Sequence, residues 1–139
     1  MRKLSVIIVA LVLAACSSST APSNVAPAID LSSAIPSPAN PQQVKWWTDL
    51  ETCSGITRDW KEPTYYVLIG KSEIVVNGKS YWGYWTKDGN KIILAEAHAS
   101  STKLIEHEMM HALLQDGSHP AQYFNGVCGD LSYANETTN

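Results

Sequence analysis

Apolar positions change their spacing several times along the chain. Residues 4 to 15 are an apolar run behind the basic head Met1-Arg2-Lys3. The run is too short for a membrane-spanning helix. From 17 to 41 the pattern dissolves into Ser, Ala, Pro and Asn, and five of the 7 prolines (Pro22, Pro27, Pro36, Pro38 and Pro41) fall here. Such a stretch buries too little apolar surface to fold and reads as a tether, roughly 75–80 Å long if extended. At 42 to 52, Val44, Trp47 and Leu50 recur at helical spacing, and Ser54-Gly55 ends that helix. Strand-like runs follow at 64 to 69, 73 to 76, 79 to 86 and 91 to 97. Asn77-Gly78 is a hairpin signal, with both residues suited to positive φ, and Asp88-Gly89 marks a second turn. The run reads as an antiparallel meander of three or four strands. Trp82, Trp85, Tyr81 and Tyr84 pack such a sheet or line a groove, and packing is the commoner role. The same holds for Trp46, Trp47 and Trp60.

The next stretch returns to helical spacing. Leu104, Ile105, Ala112 and Leu113 predict a buried helix that starts at a Ser101 or Thr102 cap and runs to about 116. Gly117 is placed to stop it in the left-handed conformation. Inside it lies His107-Glu108-Met109-Met110-His111, the HExxH pattern. Residues four apart share one helix face, so the two imidazoles can grip one metal ion. Glu108 is rotated about 100° from His107, within reach of a water at that metal. With 4 His and 7 Glu in 139 residues, chance supplies roughly 0.006 such patterns. Two histidines and a glutamate in a buried helix are costly unless something pairs them. Zinc suits two imidazoles with an open position.

The segment resembles the active-site helix of the zincin metallopeptidases, strongly over about 20 residues and weakly over the preceding strands. That resemblance implies a small α+β zincin-like domain, with zinc on His107 and His111 and Glu108 as general base in peptide-bond hydrolysis. It also likens the strand at 91 to 97 to the zincin edge strand, which binds an extended peptide by strand addition. His98 at its end can touch substrate, although a solvent-facing histidine is the usual case. The third ligand needs its own argument. A chain turning back at Gly117 swings His119 toward His111, a return of roughly 9 Å that two extended residues and a ring can span. Asp116, Asp130 and Glu136 are the acidic alternatives, and Cys128 is a further one. The metzincin pattern is not met, since Gly117 stands where its third histidine falls and no methionine follows Met110. The thermolysin-like pattern is not met either, because Glu136, the only later glutamate, sits in a polar tail. Pro120-Ala-Gln-Tyr-Phe suggests a short helix with proline at its first position. There Tyr123 either packs or steadies an oxyanion and donates a proton.

The start of the chain sets location. Leu13-Ala14-Ala15-Cys16 resembles a bacterial lipobox. It implies a signal peptide over 1–15, a lipidated Cys16 heading a tether over 16–41, and a folded domain over 42–139. Several acyl chains anchor a protein stably to a membrane. Ser17 rather than Asp at the next position points to the outer membrane. Removing Arg2 and Lys3 lowers Lys plus Arg from 10 to 8 against 13 Asp plus Glu, so the mature net charge is −5. That balance argues against nucleic acid as a partner and leaves a peptide or protein substrate and the membrane. With Cys16 lipidated, Cys53 and Cys128 remain, and an oxidising compartment favours their disulfide. The bridge would be worth roughly 4.5 kcal/mol on the chain-entropy model. Two rivals to a peptidase stand beside it: a zinc-holding envelope lipoprotein without turnover, and a zinc hydrolase acting on cell-wall peptides or another amide.

Overall fold

Asn40 sets the start of the first helix. In the computed structural model, which describes residues 29–132, the Asn40 side chain accepts from the Gln43 amide at 3.0 Å and the Gln43 side chain accepts from the Asn40 amide at 2.8 Å. This reciprocal cap, with Pro41 in the first turn, begins α1 (Pro41–Ser54). Gly55, at φ 72°, ends it. Trp47 and Leu50 are buried as their spacing predicts, and the Trp47 indole donates to the Arg58 carbonyl.

The sheet departs from the predicted meander. It contains β1 (Ala34–Pro36), β2 (Thr64–Leu68), β5 (Gly83–Thr86) and β6 (Lys91–Ala95), in the order β1-β2-β6-β5. β2 runs parallel to β6, while the two outer pairs are antiparallel. β3 (Ile74–Val76) and β4 (Lys79–Tyr81) leave the sheet as a separate hairpin. Asn77 and Gly78 turn it at φ 52° and 78°, as that pair predicts. The order follows from burial. Ile92, Ile93, Leu94 and Ala95 are covered on both faces, and a continuous apolar strand belongs inside a sheet. So β6 is an inner strand rather than the edge strand of the sequence reading, and a 3₁₀ turn, Glu96–His98, ends it before residue 97. The predicted strand at 79 to 86 splits at Trp82 into β4 and β5.

β1 corrects the domain boundary, because the tether reading placed 34–36 outside the fold. Pro36 lacks an amide hydrogen, and β1 tolerates it as an edge strand. The lipobox, Cys16 and Glu136 lie outside the described residues. No helix among the described residues is long and apolar enough to cross a membrane.

The core lies on the two faces of the sheet. Tyr65, Trp85, Ile92 and Leu94 face α1 and α2 (Thr102–Leu114), while Leu68, Ile93 and Ala95 face the β3–β4 hairpin. Burial pushes the Tyr65 phenol well above its ordinary value. Ser101 caps α2 by accepting from the Leu104 amide. The helix stops at Leu114, because Gln115 takes the left-handed conformation (φ 56°) and donates its amide to the His111 carbonyl. Gly117 is not among the residues with positive φ, so the predicted stop falls two residues early. Pro120 precedes α3 (Ala121–Phe124) as its cap rather than as its first residue. The hairpin of β7 (Asn125–Gly126) and β8 (Gly129–Asp130) follows. Cys53 at the end of α1 forms the expected disulfide with Cys128, their Cα atoms 5.1 Å apart.

Candidate metal centre

α2 is packed on nearly all sides, which fixes the directions of its polar side chains. His107, Glu108 and His111 are 0 %, 3 % and 5 % exposed. The early stop at Gln115 turns the chain back, and the Asp116 carboxylate holds the turn by accepting from the Ser118 amide and hydroxyl at 2.9 and 2.7 Å. His119 is thereby returned over the helix. The Nε2 atoms of His107 and His111 are 3.0 Å apart, those of His111 and His119 3.0 Å, and those of His107 and His119 3.3 Å.

The outer nitrogens decide what these contacts are. His107 Nδ1 lies 2.7 Å from the Leu131 carbonyl, and His111 Nδ1 lies 2.8 Å from the Asp116 carbonyl. A carbonyl only accepts, so each Nδ1 carries the proton and donates it. Each Nε2 of the two neutral rings then presents a lone pair. Lone pairs aimed at one another across 3.0 Å repel unless a cation or a proton lies between them. Ligands about 2.1 Å from a tetrahedral zinc stand about 3.4 Å apart. The three imidazoles fit such an ion, and their outer hydrogen bonds are the kind that orient metal-bound histidines. Together they form a cluster able to hold a metal ion.

The other candidates lie elsewhere. The Asp116 side chain is engaged by Ser118, which holds its carboxyl below the usual range. The Ser132 hydroxyl and then Lys103 hold the Asp130 carboxyl at about 2. Cys128 is spent on the disulfide. Tyr123 packs, half-buried, against the core, and it is Phe124 beside it that meets the imidazoles. The Phe124 ring centre stands 4.9, 4.8 and 4.8 Å from those of His107, His111 and His119. His98 stacks on Trp82 at 4.2 Å. Trp85 is buried 6.3 Å from the His111 ring, and its indole donates to Asn90.

Two parts of the site escape a reading of side-chain motifs. The carbonyls of Leu131 and Asp116 are backbone groups, and no residue type signals them. Gly83 does carry a signal, since a glycine inside a strand marks a close approach. A Cβ there would stand 2.6 Å from Glu108 Oε1 and 2.9 Å from Leu104 Cδ1. The bare β5 backbone therefore lies against the Glu108 carboxylate.

Compared with protein-family models, with curated proteins and with solved structures, the chain finds no match in any of the three.

Proposed function

We propose that the chain is a zinc-dependent peptidase of the zincin kind, anchored to the bacterial cell envelope, on the outer membrane, through a lipid on Cys16. The observation that carries the reading is the convergence of three imidazole nitrogens within 3.3 Å, beside a glutamate one residue along the same helix. Zinc, when bound there, supplies Lewis acidity at neutral pH. Glu108 accepts the proton of the attacking water and passes it to the leaving amine. The hydrogen bonds from His107 and His111 to backbone carbonyls keep both rings aimed at the ion.

Strand addition moves from β6 to β5. The Ala95 amide donates to the Trp82 carbonyl, and Gly83 stands opposite Leu94. Hydrogen-bonded pairs alternate in an antiparallel ladder, so Trp82, Tyr84 and Thr86 bond β6 while the peptide groups of Gly83 and Trp85 face outward. No further strand among the described residues pairs with β5. An extended peptide laid on that edge would pass Gly83, beside Glu108.

The near-complete burial of His107 and Glu108 favours a second reading, a zinc-holding envelope lipoprotein without turnover. Glu108→Gln separates the two. With the purified chain and a fluorogenic peptide library, the peptidase reading expects full zinc content and a ~100- to 10,000-fold loss of kcat. Native chain that holds zinc yet cleaves nothing leaves the second reading, and native chain without zinc ends both.

A further inference from the structure

The metal centre has an inner half on α2 and an outer half that arrives from the end of the described chain. Leu131 accepts from His107 through its carbonyl and donates its amide to the Phe124 carbonyl at 2.7 Å. Phe124 in turn lies under all three imidazoles. Between these two residues the chain makes the β7–β8 hairpin, two residue pairs long, with all four residues exposed and Val127 65 % exposed. So short a hairpin is marginal on its own. The burial of Phe124 and Leu131, the His107–Leu131 bond and the Val127 amide donating to the Gln122 carbonyl all help to hold it. Besides these, two side-chain links among the described residues tie it to the helices. One is the exposed Lys103–Asp130 pair at 3.0 Å, of a kind that contributes little. The other is the Cys53–Cys128 bond, which ties the hairpin turn to the end of α1.

We propose that the Cys53–Cys128 disulfide sets the metal affinity of the centre, by holding segment 121–131 where it orients His107 and floors the three rings. The inference rests on the metal reading of the triad and not on turnover. Metal loading then follows thiol oxidation. In the reverse direction a dithiol reductant attacks one sulfur, forms a mixed disulfide and closes on itself. Cys53 and Cys128 are left as thiols that have gained its two electrons and two protons. The loosened segment withdraws the Leu131 carbonyl, His107 loses its orienting partner, and the ion is held more weakly.

The test compares the oxidised whole chain with a Cys53→Ser/Cys128→Ser variant, titrated with zinc against a chromophoric chelator. The serines matter, because free thiols would bind zinc themselves. The expected result is a ~10–100-fold weaker affinity in the variant, the range set by loss of an outer hydrogen bond to a ligand. Amide exchange should accelerate in 121–131, with α2 unchanged. Equal affinity in a folded variant overturns the inference and leaves the metal reading standing. Oxidised chain that binds no zinc overturns both. If the double serine variant does not fold, Cys53→Ala/Cys128→Val, which keeps the half-buried pair apolar against the core, carries the test: tenfold weaker zinc supports the inference, and native affinity overturns it.

Discussion

Gly83 places β5 against Glu108 with no room for even a methyl group. A Cβ at Gly83 would stand 2.6 Å from Glu108 Oε1 and 3.0 Å from its Cγ. Gly83→Ala must therefore shift the strand or swing the carboxylate. Overpacking of this kind costs about 1–3 kcal/mol. Zinc content should stay full, because the three imidazoles are untouched, while the proposed peptidase activity should fall at least tenfold. Shortening the acid relieves the clash, so Gly83→Ala should cost much less activity in a Glu108→Asp background. Equal losses in both backgrounds would show that the glycine does not position the acid. At this scale the sequence was legible wherever side-chain type carries the chemistry. His107, His111 and His119 meet because spacing and a chain reversal suffice to bring them together. The carbonyls that orient two of them were invisible, since every residue has one. Phe124 could be placed on a short helix, but its position under the rings depends on how that helix docks.

The helices and the β3–β4 hairpin were readable because their signals are local: the spacing of Trp47 and Leu50, and Asn77-Gly78. Strand order was not, because β2 and β6 pair across the intervening hairpin. β1 was hidden by the proline-rich composition around it. The stop of α2 moved because Gln115, with no glycine signal, took the left-handed turn. This makes Gly117 replaceable. A Cβ there meets nothing within 4 Å, and its φ is not positive. Gly117→Ala should leave stability unchanged or raise it by ~0.4–1 kcal/mol through the unfolded chain. An unfolding free energy from urea titration lowered by about 1 kcal/mol or more would restore Gly117 as the helix stop. The β7–β8 hairpin gives a prediction in pH. The Ser132 hydroxyl and Lys103 depress the Asp130 carboxyl from 3.8 to about 2. A depressed carboxylate makes its contribution above the ordinary value and loses it as pH falls through the lowered one. The Asp130 contacts to Ser132 and Lys103 should persist on acidification to about pH 4 and disappear near pH 2. A carboxyl NMR titration of Asp130 with a midpoint near 4 would contradict this.

For the whole molecule the question is what keeps three imidazoles together in so small a fold. A domain near 100 residues has a limited core and often carries a staple. The disulfide closes a long loop and is worth roughly 4.5 kcal/mol on the entropy model, a large share of the ~5–15 kcal/mol total of such domains. The triad adds a second conditional tie. With neither a cation nor a shared proton between them, the lone pairs of His107 and His111 would repel across 3.0 Å. A bound ion turns that repulsion into a clamp joining α2 to the loop of His119. An ion that binds only the folded chain stabilises it by about 2.7 kcal/mol when free metal is 100 times Kd. At about 4–8 °C per kcal/mol for a domain of this size, Tm should rise by roughly 10–20 °C with zinc. Magnesium should do nothing, since it prefers oxygen ligands. His119→Ala should keep the fold, because His119 is exposed, and should lose most of the zinc-dependent rise. Scanning calorimetry of the native chain with chelator, zinc or magnesium decides the matter. A Tm indifferent to zinc would mean that a shared proton, not a metal, bridges the rings, and the peptidase proposal would lose its foundation.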